Sequence, residues 1–146
     1  LNLTSVYYVA KAFMPAMVER KWGRVINIAS IHSKIGGAYV AAYTASKHGV
    51  LGLTRALAVE FVAKNITVNA ICPAYVNTPM TRSSIDRVMA RTGRSEAEAT
   101  RVFEEISPQK RLIEPEEIAA LAVLLAGDAA KGITGQGINV DGGTVM

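Results

Sequence analysis

Cysteine is nearly missing from this 146-residue chain, where Cys72 stands alone. No internal disulfide can form, which excludes a disulfide-stapled scaffold and suits a reducing, cytoplasmic setting. Cys72 itself reads as a small buried hydrophobe in a strand. Long hydrophobic runs are missing too. None approaches the roughly 18 residues needed to span a bilayer, so no membrane partner is expected. Basic residues form no run and are not interleaved with aromatics, which argues against nucleic acid as a partner. No metal site is predicted. No G-x-S-x-G elbow surrounds Ser30, which argues against a hydrolase built on Ser30 and His32. The start, Leu1-Asn2-Leu3-Thr4, has no initiator Met and no signal-peptide pattern, and reads as a helix beginning inside a longer chain.

What is present suits one globular domain: half the residues are hydrophobic and 19% are charged. The net charge of +4 is uneven. Residues 1–64 hold eight Lys/Arg against two Asp/Glu, and residues 65–146 hold eight against ten. A solvated face is the default reading of that excess, and a phosphate-bearing ligand is a second use for it.

Residues 3–20 read as a helix with apolar side chains nearly all round, broken in character by Pro15. Such a helix needs neighbours on several sides. RVINIAS reads as a short strand, over 25–29, buried on both faces. A Gly-containing loop follows Ser30, then a helix from about 42 to 63, with Asn65 as its end. ITVNAIC, residues 66–72, is a second buried strand that Pro73 stops. After a loop at 74–80 come a helix at 81–92 ended by Gly93, and a second opened by the capping box Ser95–Glu98 and running to about Ile106. Glu114-Pro115-Glu116-Glu117 opens a further helix to Leu125. GINVDGG is the third strand. Alternating strands and helices predict an α/β fold, a doubly wound parallel sheet with helices on both faces. Three strands are few for such a sheet, which again suggests a truncated chain. Ligands of these sheets bind at the carboxyl ends of strands, where Ser30 and Pro73 both fall.

Ser30, Tyr43 and Lys47 carry the chemistry. Tyr43 and Lys47 are four apart, one helical turn along the same face. An ammonium held near a phenol favours the phenolate, and a tyrosine so placed can exchange a proton with an alcohol or carbonyl. A nearby serine hydroxyl can hydrogen-bond the oxygen whose charge changes. Spacing alone is weak: five Tyr and seven Lys give roughly 0.24 such pairs by chance, and Tyr7–Lys11 is a second pair, read as helix surface. The strands delivering Ser30 and Pro73 to one sheet edge give the first pair its weight.

Together, Asn2 in NLTS, Ser30 in NIAS, Tyr43-Thr44-Ala45-Ser46-Lys47, VNAICPAYVNTPM and INVDGG resemble the classical short-chain dehydrogenase/reductase family across the whole chain, as its carboxyl-terminal part. The resemblance implies a Rossmann-like sheet and an NAD- or NADP-dependent oxidoreductase interconverting a secondary alcohol and a ketone. Tyr43 would be the general acid/base, and Lys47 would assist it and hold the nicotinamide ribose. Ser30 would bind the substrate oxygen, and Asn2 would hold a relay water. A helix N-cap is the alternative for Asn2. Pro73, Ala74, Val76 and Thr78 would border the cofactor, with a cap of the next helix as the alternative for Thr78. Residues 78–106 would form a substrate lid, in which Met80, Ile85, Val88 and Met89 either close over an acyl chain or pack on the protein's own core. Arg82, Arg87, Arg91 and Arg94 would meet phosphates of a carrier arm or form a solvated face. Helices 3–20 and 43–62 would pack against a second subunit, giving a homodimer or homotetramer.

The chain departs from the family pattern in three ways. No G-x-x-x-G-x-G phosphate loop occurs, since Gly36-Gly37 and Gly142-Gly143 follow no strand-to-helix turn; NAD cannot be told from NADP, and the isolated chain could be an inert fragment that only associates with partners. Ala74 replaces a glycine beside the nicotinamide, with a small expected effect. His32 resembles a substrate-binding histidine of 3-hydroxybutyrate dehydrogenases, but Val40 stands where those enzymes carry the lysine that holds a free carboxylate. A 3-oxoacyl or 3-hydroxyacyl thioester is therefore the expected substrate, with a free 3-hydroxy acid as the alternative. A solvent-facing loop histidine is the competing reading of His32, and His48 is read as surface.

Overall fold

The computed structural model describes residues 2–146. The strands β1 (Gly23–Ile28), β2 (Ile66–Pro73) and β3 (Gly137–Val140) form one parallel sheet with β2 in the centre. Five α-helices accompany it among the described residues: α1 (Thr4–Glu19), α2 (Ala41–Phe61), α3 (Pro79–Thr92), α4 (Glu96–Glu104) and α5 (Pro115–Ala126).

The period-2 alternation of β2 explains the layering. Ile66, Val68, Ala70 and Cys72 face α1 and α2, where they meet Met14, Val50, Leu51 and Ala58. Ile71 faces the other way and packs with Leu125 and Ala130 beyond α5. All eight residues of β2 are buried. Two buried asparagines fix the layers. Asn27 on β1 donates to Thr54 on α2 at 2.9 Å, and Asn69 on β2 donates to the Ile133 carbonyl at 2.7 Å.

β1 does not match the expectation of a strand buried on both faces. Its middle is half-buried and Ile28 is 52% exposed, because β1 is an edge strand among the described residues. Nor is α1 enclosed. It buries only Ala10 and Met14, and Tyr7, Tyr8, Val9 and Phe13 are exposed. Pro15 sits inside it without ending it. The N-cap position of α1 is Leu3, so the capping alternative for Asn2 does not hold. After α2 the chain makes a 3-10 turn at Val62–Lys64 and stops at Asn65 in a left-handed conformation, φ 59°. α3 begins at Pro79, two residues earlier than its sequence pattern suggests, because proline suits a first turn. α4 ends at Glu104, and both halves of its Ser95–Glu98 capping box are formed. Within α3 and α4, Ile85, Val88 and Met89 pack on Ala99, Phe103 and Tyr75, an interior of their own, whereas Met80 is 74% exposed. Of the four apolar lid candidates, Ile85 is enclosed, Val88 and Met89 are half-buried and Met80 is exposed. Arg82 pairs with Glu96 and Asp86, which holds α3 to α4. No helix among the described residues is long and apolar enough to cross a membrane.

Candidate active site

Ser30 follows β1 in extended backbone and is 6% exposed. It occupies the N-cap position of a 3-10 turn, Ile31–Ser33. Its Oγ accepts a hydrogen bond from the His32 amide at 3.2 Å. Accepting that bond leaves the hydroxyl proton free to donate elsewhere.

The same turn brings His32 to Tyr43. Their rings meet edge to face, with centroids 6.0 Å apart and planes at 79°. The half-buried His32 is therefore not a solvent-facing loop residue. Its Nδ1 is enclosed without a partner, on the side where a Cβ at Gly37 would come 2.9 Å from it. Only a residue without a side chain allows the 36–37 segment to lie this close to the ring.

Tyr43 and Lys47 occupy the first turns of α2. The Lys47 ammonium lies 5.7 Å from the Tyr43 ring centroid. It donates to the Ile28 carbonyl at 2.8 Å, which ties α2 to the end of β1 beside Ser30. Burial pulls its pKa below the ordinary lysine value, against a smaller opposing influence of Cys72. The Ser46 hydroxyl donates to the Tyr43 carbonyl at 2.7 Å, and His48 is exposed on another side of the helix. Asn2 is exposed just ahead of α1, whose Leu3 docks on Gly49, two residues past Lys47.

Pro73 ends β2 and is buried. The segment after it is strapped from two sides. Ala74 donates to the Val140 carbonyl at 3.3 Å, while Ile113 receives the Asn77 amide at 2.8 Å and donates to Tyr75 at 2.9 Å. Val76 and Thr78 are half-buried. Thr78 holds the N-cap position of α3, yet its hydroxyl donates to the Val76 carbonyl at 3.3 Å and caps nothing. Tyr75 is a residue that motif reading misses. Burial raises its phenol's pKa, and Tyr43 adds to the effect, so the two phenols are electrostatic neighbours. Tyr75 also stacks edge-on against Phe103 of α4, centroids 4.9 Å apart. Its sequence signal is an aromatic inside the 74–80 loop that follows Pro73.

The residues present fit the nicotinamide–ribose end of a dinucleotide. Lys47 spends one of its three protons on Ile28, leaving donors for vicinal hydroxyls. A concavity of about 380 Å³, lined by Asn77, Arg82, Glu96 and Arg111 among others, lies apart from the Tyr43–His32 contact, and its arginines are already paired with carboxylates.

The family model described as enoyl-(acyl carrier protein) reductase matches residues 1–145. The chain belongs to the short-chain dehydrogenase/reductase family. D-beta-hydroxybutyrate dehydrogenase of Rhizobium meliloti is 40% identical over 144 residues, 98% of this chain and 56% of that protein. Acetoacetyl-CoA reductase of Shinella zoogloeoides is 42% identical over 142 residues, 97% of this chain and 55% of the relative. A crystal structure of an actinorhodin polyketide ketoreductase variant with NADPH superposes with a TM-score of 0.93 at 41% identity, covering 99% of this chain and 56% of that one. The fold is thus Rossmann-like, and the chain spans a little over half the length of these short-chain dehydrogenase/reductase relatives.

Proposed function

We propose that the protein carrying this chain is an NAD(P)-dependent oxidoreductase interconverting a secondary alcohol and a ketone, with a 3-oxoacyl or 3-hydroxyacyl thioester as substrate. The observation that carries this reading is Tyr43 with Lys47 one turn away and the His32 ring set against it. Relatives named acetoacetyl-CoA reductase, putative ketoacyl reductase and D-beta-hydroxybutyrate dehydrogenase support the substrate class.

In the reductive direction the Ser30 hydroxyl donates to the ketone oxygen and Tyr43 delivers the proton that the new alkoxide requires. When bound, NAD(P)H supplies the hydride for the carbonyl carbon, and its oxidised form takes it in reverse. Lys47 stabilises the tyrosinate left behind and holds the ribose. Pro73, Ala74, Val76 and Thr78 border the nicotinamide, and Asn2 holds a water that returns a proton towards Lys47. Residues 78–106 act as a lid over the substrate. The chain is the carboxyl-terminal part of one domain, works in the cytoplasm, and assembles into a dimer or tetramer through α1 and α2. The decisive test is Tyr43→Phe in the intact protein: kcat with a 3-oxoacyl thioester falls by about 10³-fold or more while the circular dichroism spectrum is unchanged. Retention of a tenth of the activity would refute the assignment.

A free 3-hydroxy acid is the second reading, favoured by His32 lying against Tyr43. Against it, the position three residues before Tyr43 holds Val40, which offers no cation to a carboxylate. Comparing kcat/KM for a 3-oxoacyl thioester and the corresponding free 3-oxo acid separates them; the thioester is expected to win by at least about tenfold, the worth of one lost charge-assisted hydrogen bond.

A further inference from the structure

Lys34 lies four residues beyond Ser30 and outside the motifs that mark the family. Its amide closes the 3-10 turn by donating to the Ile31 carbonyl at 2.9 Å. Its side chain then leaves the turn for β3. The ammonium donates to the Gly137 carbonyl and to Asn139 Oδ1, both at 2.6 Å, across more than a hundred positions of sequence. The side-chain amide of Asn139 continues the connection, donating to Asp141 Oδ2 at 3.1 Å and to the Val145 carbonyl at 3.0 Å. Asp141 is buried, and its carboxylate also accepts the Gly143 and Val145 amides, each at 3.0 Å. A continuous polar chain therefore runs from the turn that presents Ser30 and His32 to the folded turn at 141–145.

Packing holds the turn as well, since Ile31 and Ser33 are buried at 4% and 3% exposure. Its Ser30 end is held by Ala29, which donates to the Ile71 carbonyl at 2.8 Å. At its other end the buried hydroxyl of Ser33 has no hydrogen-bond partner. The bonds made by the Lys34 ammonium are the side-chain hydrogen bonds that fasten this end to the sheet. Charge-assisted bonds to two fixed acceptors of a strand suit that task, since the acceptors are themselves held by β2 pairing and by Asp141.

We propose that Lys34 is a positioning residue: it fastens the far end of the Ser30–Ser33 turn to β3 and thereby fixes the Ser30 hydroxyl in the turn and the His32 ring against Tyr43. The proposal rests on the reading of Ser30, His32 and Tyr43 as the acting groups. The test is Lys34→Met in the intact protein, which keeps the apolar stem and removes the donors. Amide exchange at Ser33 and Lys34, whose acceptors are the Ser30 and Ile31 carbonyls, should accelerate about tenfold, the worth of a partly exposed charge-assisted pair. The value of kcat should fall about three- to tenfold with KM within about twofold, and Lys34→Arg should recover most of both. Asn139→Leu removes one acceptor and serves where Lys34→Met fails to fold; combined with Lys34→Met it should add little to either single change. Exchange within about twofold of the parent, or a loss of kcat with exchange unchanged, overturns the proposal. Turnover of the parent and its loss in Tyr43→Phe are measured first. An inactive parent would refute the oxidoreductase reading, while the exchange measurement needs no turnover and judges the anchor separately.

Discussion

Gly37 controls where the His32 ring can stand. A Cβ there would come 2.5 Å from His32 Cε1 and 2.7 Å from Val40 Cγ2. Gly37→Ala therefore sets a methyl against both the imidazole and Val40, and the relief expected is a shift of the ring from its edge-on contact with Tyr43. Steady-state kinetics should show kcat/KM lowered about tenfold, the effect of misplacing one group by a fraction of an ångström, with thermal stability little altered. If Ser30 acts as proposed, Ser30→Ala removes the hydroxyl that donates to the substrate oxygen, and kcat should fall by about 10²–10³ with KM nearly unchanged. At this scale Ser30, Tyr43 and Lys47 were legible because strand ends and helical spacing place them by simple geometry. The enclosure of His32 was not, since it depends on Gly37 approaching from across the loop. Tyr75 was missed for the same reason: its nearness to Tyr43 and Phe103 is tertiary, with no local period to announce it.

Among the elements, α5 carries the clearest dependence on pH. Glu117 accepts both Arg111 guanidinium nitrogens, at 2.6 and 2.8 Å, together with the Glu114 amide. These bonds hold its carboxyl at about 2, against an ordinary 4.5. A carboxyl depressed by folding contributes stability above its unfolded value and loses that contribution as pH falls through its folded value. Urea midpoints should therefore drop between about pH 5 and pH 2, and Glu117→Gln should lie lower at neutral pH and fall less steeply on acidification. Equal slopes for the two proteins would refute this. Helix starts were legible wherever capping chemistry is local, as at Ser95–Glu98 and Glu114–Glu117. The exposure of β1 was not, because an apolar run reports a preference for burial and says nothing of which neighbours supply it. The division of α3 into a buried face and an exposed Met80 was likewise hidden, since helical periodicity marks an apolar face without naming what covers it.

For the molecule as a whole, the parallel direction of the strands follows from alternating strands and helices and was legible for that reason, whereas the central place of β2 was not, since alternation sets direction and not order. The outer face was less so. Phe13 is 62% exposed beside Tyr8 and Val9 on α1, an apolar surface that suits a second copy of the chain. If α1 carries the subunit contact, Phe13→Glu should shift sedimentation of the intact protein towards monomer, and an unchanged profile would exclude that face. Cys72 adds a different consequence. It is the chain's single thiol, 0% exposed in the layer between β2 and α2, and burial raises its pKa. A thiol reagent can reach it only when its cover opens, which α2 supplies through Val50 and Leu51 and the Ser30–Lys34 turn supplies beside it. The rate of labelling in native buffer thus counts openings of the packing beneath Ser30 and Lys47, and the protein carries its own clock for them.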